Sequence, residues 1–308
     1  VRCGNDVVLD PSAGAGVFLF SAHAVLRNLG GRSSQQLIGI ELLSSTYAQT
    51  DADLRSGGVG ARLVRKNFFE VTPSDLGLVD VVIGNPPFIR YQQFSGNARN
   101  LALTRSREAG VDLSALTSSW APFFVHAVEF LKAGGRLAMV APAELAHANY
   151  ARPVIRHLCE SFRAVSILAF DRRIFADLSE DTVLVLAEGK GGEHEKFSLS
   201  TVLDIENLPA ALNSEIRLSA PDMFSGAVRM IEYFLPERTR QLYKEIQGTK
   251  KIDKLGDFAN VGIGYVTGAN DFFFFIADTA RELQIPDKYL APVVRSGADL
   301  QGLFFTRA

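Results

Sequence analysis

The residues with the most specific chemistry are Asn85, Pro86, Pro87 and Phe88, which close the apolar run Val81-Val82-Ile83-Gly84. That run reads as a strand buried on both faces. The two prolines cannot donate to a ladder, so the strand stops there and its carboxyl end is stiff. The result is a shelf offering one amide, two carbonyl units without an N–H, and one aromatic face. Such a shelf suits a flat ring with an exocyclic amine: oxygens accept from the amine while the aromatic stacks on the ring. A turn without chemical role is the plainer reading, and the other strand ends weigh against it.

Three of those ends precede the shelf. Asp6–Asp10 reads as a strand that runs into Pro11-Ser12-Ala13-Gly14-Ala15-Gly16 and then an apolar helix from Val17 to Leu29. Strand, glycine turn and helix open a nucleotide-binding βα unit. Leu19 stands where a dinucleotide fingerprint has its third glycine, which argues against a nicotinamide or flavin enzyme. Leu37–Leu42 is a second strand with Glu41 near its carboxyl end. A carboxylate there accepts from a ribose diol, or else faces the positive end of the helix Ser44–Leu54. Arg62–Lys66, a third strand, ends in Asn67-Phe68-Phe69. Ligands of open α/β sheets bind at the carboxyl ends of the strands, so four such ends in succession define a site.

The elements that must carry these ends continue along the chain. Residues 91–119 are polar and carry Arg99, Arg105 and Arg107, the pattern of a functional loop or lid. An amphipathic helix is expected over Trp120–Leu131, ended by Gly134-Gly135. A fifth strand, Arg136–Pro142, precedes a helix at Tyr150–Cys159 and strands at Ala164–Phe170 and Thr182–Leu186. Between the last two lies the turn Arg172–Asp177, which presents Phe175. The fold class expected is α/β, a Rossmann-like sheet with helices on both faces. After Gly189–Gly192 the character changes. The expected division is 1–192 for the nucleotide-binding sheet, 193–250 as a connecting segment, and 251–308 as the start of a smaller mixed or β-rich module. Glycine and β-branched residues in Phe258–Gly268 suggest the strands of that module.

Composition sets the outer limits. With 308 residues, 47% of them hydrophobic, the chain can bury a full core and leave a second piece. Its formal net charge of −2 means that contact with a polyanion must use a local patch. Cys3 and Cys159 lie far apart without a Cys-x-x-Cys, and the five histidines are scattered. This fits a reduced, cytoplasmic chain with no disulfide framework and no metal site. No apolar run is long enough to span a bilayer, and no membrane partner is expected. The chain starts almost on a strand and stops just after Leu303-Phe304-Phe305, so it is expected to be a piece of a longer protein.

Asp10-Pro11-Ser12-Ala13-Gly14-Ala15-Gly16-Val17-Phe18, Glu41, Asn67-Phe68 and Asn85-Pro86-Pro87-Phe88, in that order, resemble the N6-adenine DNA methyltransferases. Phe88-Ile89-Arg90-Tyr91-Gln92 and Asn260–Phe275 are similar to the restriction-modification members with a C-terminal target-recognition domain. The resemblance implies S-adenosylmethionine as cofactor and double-stranded DNA as partner, with a restriction or specificity partner encoded elsewhere. It makes 1–192 the catalytic domain and 251–308 the first part of a recognition domain continuing beyond Ala308. The family's most N-terminal motif would fall before Val1. By the same resemblance Asp10, Pro11, Ala13, Gly14, Gly16 and Phe18 form the cofactor cradle, and Glu41 holds the ribose. Leu42 or Phe68 flanks the cofactor adenine, with Asn67 standing where an acidic residue is common. Asn85 and the Pro86 carbonyl accept from the target amine, beside Pro87, while Phe88 and Phe175 stack on the two faces of the base.

The chemistry follows from the groups. The lone pair of an adenine amine is delocalised into its ring, and two oxygens accepting its protons localise it as the methyl group arrives. A base in a duplex must leave the stack at a cost of about a few kcal/mol, which stacking worth roughly 1–3 kcal/mol per base offsets. Two other readings share the shelf: methylation of a protein glutamine or an rRNA guanine, and a catalytically silent DNA-binding fragment.

Overall fold

In the computed structural model, residues 1–31, 36–170, 181–202, 215–225, 229–249, 253, 255–259, 270–291 and 293 are described. The chain divides into two compact units, Val1–Glu245 and Ile246–Ala308. The first unit is built on one sheet of nine strands, in the order β3-β2-β1-β4-β5-β7-β6-β8-β9. These are β1 Val8–Asp10, β2 Leu37–Glu41, β3 Arg62–Arg65, β4 Val79–Gly84, β5 Leu131–Pro142, β6 Phe162–Phe170, β7 Thr182–Lys190, β8 Lys196–Val202 and β9 Ile216–Leu218.

β1 to β5 are parallel. β7 inserts antiparallel between β5 and β6. The central strands are apolar on both faces because helices cover both. Val8, Leu37 and Val81 point to one face with Leu19, Ala22 and Leu26 of α1 (Val17–Asn28). Leu9, Ile38, Ile40 and Val82 point to the other, with Trp120, Phe124 and Val128 of α5 (Trp120–Glu129). The missing third glycine of the turn is answered across the interface. A Cβ on Gly39 of β2 would lie 2.9 Å from Leu19 Cδ1 and 2.6 Å from Leu63 Cδ2, so here the strand, not the helix, supplies the glycine for close packing.

Four expectations are corrected. Residues 91–119 are not all loop: α4 (Gly96–Glu108) lies there and packs on α5. Its buried side chains are only Ala102 and Ser106, so the sequence shows no apolar stripe. Under that cover α5 is not amphipathic, for every residue from Trp120 to Val128 is buried. Gly134-Gly135 does not end this helix, which stops at Glu129. The pair lies within β5, where the register against β4 jumps from Val79↔Leu131 to Val81↔Arg136. Finally, 193–250 is more than a connection, since β8 pairs with β6 and β9 with β8 in the main sheet.

In the second unit the described elements are short helices, Leu255–Phe258, Asn270–Phe273 and Ala277–Glu282. Residues 260–269, on which the reading of strands rests, lie outside the described residues. No helix among the described residues is long and apolar enough to cross a membrane.

Candidate active site

β1 and β4 are neighbours, and the strand order reverses between them: β2 and β3 lie to one side, β5 to the other. A crevice forms outside the carboxyl ends of the strands at such a switch point. The glycine turn leaves β1 there and the Asn85 shelf leaves β4 there. Ser12 Oγ donates to the Asn85 carbonyl at 3.1 Å, tying turn to shelf.

On the β1–β2 side the anchors are carboxylates. Asp10 is fully buried; its Oδ1 accepts from Ser12 N at 3.0 Å, while Oδ2 is buried without a partner. Burial pushes this carboxyl up to about 7, helped by the charge of Glu41 and opposed by the Ser12 N–H. Glu41 accepts from Gly14 N through Oε2 at 3.0 Å and from Leu43 N through Oε1 at 2.8 Å. It thus clamps both the glycine turn and the entry to α2 (Ser44–Ser56), and each oxygen keeps a further lone pair. Gly14 takes φ +50, and a Cβ there would meet only Ser12 O at 3.9 Å, so this part of the turn is open.

Pro11, Ala13 and Gly16 are buried beneath the turn, with Ala13 N donating to Ile40 O at 2.8 Å. Phe18 is half-buried in the first turn of α1. Leu42 is 62% exposed at the end of β2. Phe68, the other candidate for an adenine-flanking side chain, packs into the core and is 2% exposed. Its ring lies 4.6 Å from His126 and 5.1 Å from Phe123, among apolar neighbours that draw it inward. Asn67 is half-buried, and its Oδ1 accepts from Phe69 N at 3.1 Å to cap a single 3-10 turn.

On the β4–β5 side the anchors are neutral donors from distant segments. Asn85 and Pro87 are exposed, Pro86 is buried, and Phe88 is half-buried against the main core. Ser119 holds the shelf's backbone. Its hydroxyl donates to Pro87 O and accepts from Ile89 N at 2.9 Å, and its own N–H donates to Ile89 O at 2.9 Å. Next to it, Trp120 Nε1 donates to Glu144 Oε1 at 2.9 Å, and Tyr150 OH donates to the same oxygen. Burial, with that bond to Glu144, raises the Tyr150 phenol above its ordinary value. A cavity of about 530 Å³ opens beside the shelf, lined by Arg90, Tyr91, Leu116, Glu144, Tyr150 and Asp181 among others. Phe175 lies outside the described residues.

Ser12, Ser119, Glu144 and Tyr150 do not stand out in the sequence. A signal existed for two of them. Ser119 directly precedes a helix, the position where a hydroxyl caps, and Glu144 follows the carboxyl end of β5, where ligand groups of such sheets gather.

The sheet, with a glycine turn after β1 and an Asn-Pro-Pro-Phe shelf after β4, is Rossmann-like and shares its fold with solved methyltransferase structures. Residues 32–175 match the Eco57I restriction-modification methylase family, and residues 227–308 match the C-terminal domain of the type II methyltransferase M.Eco57I. Over these two stretches the chain is similar to restriction-modification methyltransferases of the Eco57I kind. It is 25% identical over 235 residues to the type II methyltransferase M.AccI of Acinetobacter calcoaceticus, covering 74% of this chain and 42% of that protein. The type IIG restriction endonuclease BpuSI has a similar fold, with a TM-score of 0.62 at 17% identity, over 95% of this chain and 38% of that one. So does the methyltransferase subunit of a type I restriction-modification system from Streptococcus thermophilus, with a TM-score of 0.58 at 18% identity, over 73% of this chain and 53% of that one. The chain thus spans about half the length of the proteins it matches, or less.

The residues present fit the cofactor that this family implies. The partnerless buried oxygen of Asp10 suits a cationic donor, and the spare lone pairs of Glu41 suit hydroxyls. Exposed Leu42 offers an apolar face to a purine, and the open surface at Gly14 admits a ligand close to the backbone. When bound, S-adenosylmethionine supplies a methyl group already activated by a sulfonium.

Proposed function

We propose that this chain methylates the N6 amine of adenine in DNA, by direct transfer to a base turned out of the duplex. The observation that carries the reading is the pairing of cradle and shelf across the β1–β4 switch point, joined by the Ser12–Asn85 hydrogen bond. In this reading Asp10, Glu41 and Leu42 hold the cofactor, alongside the turn Pro11–Gly16, Phe18 and Asn67. Asn85 Oδ1 and the Pro86 carbonyl accept from the reacting amine. Preorganised acceptors stabilise positive charge growing on nitrogen, and they need no reorganisation as it develops. Phe88 stacks on the base, and Phe175 covers its other face. Residues 251–308 belong to a target-recognition domain, and a restriction or specificity subunit is the partner that relatives of this kind suggest.

The test is transfer of a tritiated methyl group to genomic DNA lacking the modification, followed by nucleoside analysis. Label in N6-methyladenine is expected. Label on cytosine's exocyclic amine would keep the shelf but change its substrate. Label in protein or RNA alone, or none under conditions where the cofactor binds, would overturn the reading.

A further inference from the structure

A second cavity follows, along the chain, the one beside the shelf. Glu144 lines the first, and the next residues along the chain, Leu145 to Asn149, line the second. Its volume is about 280 Å³, and its polar lining is His147, Asn149, Arg152 and Arg229. Leu145, Ile155, Met223 and Met230 give it an apolar floor, and among the described residues no carboxylate side chain lines it. Asp222 and Glu232 are close in sequence to lining residues, but neither lines the cavity. Among the described ion pairs, none uses Arg152 or Arg229. A third cation stands at the wall, with Arg156 5.2 Å above the ring of Phe224, which also lines the cavity.

Both guanidinium groups are exposed at the rim of this apolar-floored cavity, and no described ion pair engages either, so both are free to meet an incoming anion. Guanidinium groups match phosphate oxygens in geometry as well as charge. A purely apolar ligand would leave the arginines unused, and a carboxylate peptide would not need a position next to the shelf. We propose that this cavity receives a backbone phosphate of the DNA strand whose base reaches the shelf, with Arg152 and Arg229 as its ligands. The assignment rests on the DNA-methylation reading. It adds a fixed point for the strand, so that the sugar–phosphate next to the extruded base is held while the base turns. Such a contact positions without reading sequence.

The shared chemistry is a phosphate oxyanion, which DNA or a free nucleotide supplies, and two measurements separate them. Fluorescence anisotropy with the full chain and mixed-sequence duplex DNA, between about 50 and 200 mM salt, gives the slope of log affinity against log salt. Arg152→Gln/Arg229→Gln should lower the slope by about one and weaken binding roughly tenfold, whatever the sequence. Arg152→Lys/Arg229→Lys should keep the slope while losing affinity, since charge remains and the fork is lost. Arg27→Gln should leave the slope unchanged, because α1 ends at the opposite side of the sheet from the strands' carboxyl ends. Cofactor affinity should be the same in all variants.

Calorimetry with inorganic phosphate and with adenosine monophosphate is the second measurement. Binding of either that the Gln variant abolishes, with an unchanged DNA slope, assigns the cavity to a small phosphate ligand and overturns the proposal. So does a wild-type slope in a Gln variant that melts like wild type. If wild type binds no DNA at all, the methylation reading fails and this inference fails with it. If DNA binds and only the variant slope is unchanged, this inference alone fails.

Discussion

The two sides of the switch point are held together by different means. On the β1–β2 side, charged carboxylates grip backbone N–H groups a few residues away or on the adjacent strand: Asp10 on Ser12, Glu41 on Leu43 and Gly14. On the β4–β5 side, neutral donors do the work. Ser119 reaches Pro87 and Ile89 across some 30 residues, and Trp120 and Tyr150 converge on the Glu144 carboxylate. The difference has a physical sense. A side that is to bind a cation gains from buried or half-buried negative charge beside the ligand, whereas one that is to hold a neutral base gains from a backbone fixed by hydroxyl hydrogen bonds. The cofactor side should therefore answer to pH, and the shelf side to loss of hydrogen-bonding geometry.

The largest expected effect is on the shelf. Asn85→Ala removes an acceptor from an exposed position that no core packing depends on, so turnover should fall by about a hundredfold or more. Cofactor affinity, measured by calorimetry, should change little. Near-normal methylation by this variant would take Asn85 out of the chemistry and blur the contrast between the two sides.

Ser119→Ala comes next. It leaves the Pro87 carbonyl and the Ile89 N–H without their partner, at a stability cost of roughly 1–3 kcal/mol. Turnover should fall by about tenfold as the shelf loosens, with cofactor affinity unchanged. A variant that loses stability but keeps wild-type turnover would make Ser119 a structural tie between segments and nothing more.

The smallest effect belongs to Asp10 and is read through pH. Its carboxyl titrates at about 7 in the fold, above the ordinary value of 3.8, because burial disfavours the charge. The fold therefore binds this proton more tightly than the unfolded chain does. The cost of the buried charge is absent below 3.8, grows as pH rises, and is complete above about 7. Asp10→Asn should gain melting temperature relative to wild type between about pH 4.5 and 7.5, by a few °C, and the gap should then level off. A gap that does not vary with pH would show Asp10 to be partnered and the asymmetry between the two sides to be wrong. The buried histidines act in the opposite sense and cancel in this difference. His126 and His157 are pushed down to about 4 by burial, so both forms lose stability alike as pH falls from 6.5.

Much of this was legible in the sequence because it is local. Apolar runs of strand length, a glycine turn before a helix, and Pro-Pro after Asn85 each fix the backbone within a few residues. Their succession places four strand ends in one crevice. Of the residues that carry the family resemblance, Glu41, Asn67-Phe68 and Asn85–Phe88 fall within the matched stretch 32–175, while the glycine turn precedes it. What the sequence did not show is set by neighbours distant along the chain. α4 packs through Ala102 and Ser106, too small to leave a pattern, and by covering α5 it turns an expected amphipathic helix into a buried one. The packing of Phe68 against Phe123 and His126, both far along the chain, has no trace in the sequence around it. Glu41, for which the sequence offered a ribose or a helix end, takes two backbone amides, one of them from another strand's turn. Ser119 gains its role only when residues 30 positions apart are brought together. The sequence by itself determined which groups stand at the strand ends, since backbone stiffness and periodicity are properties of neighbouring residues. Which groups hold those ends in place was decided by the tertiary structure, because a hydrogen bond or a burial cost exists only once both partners are packed.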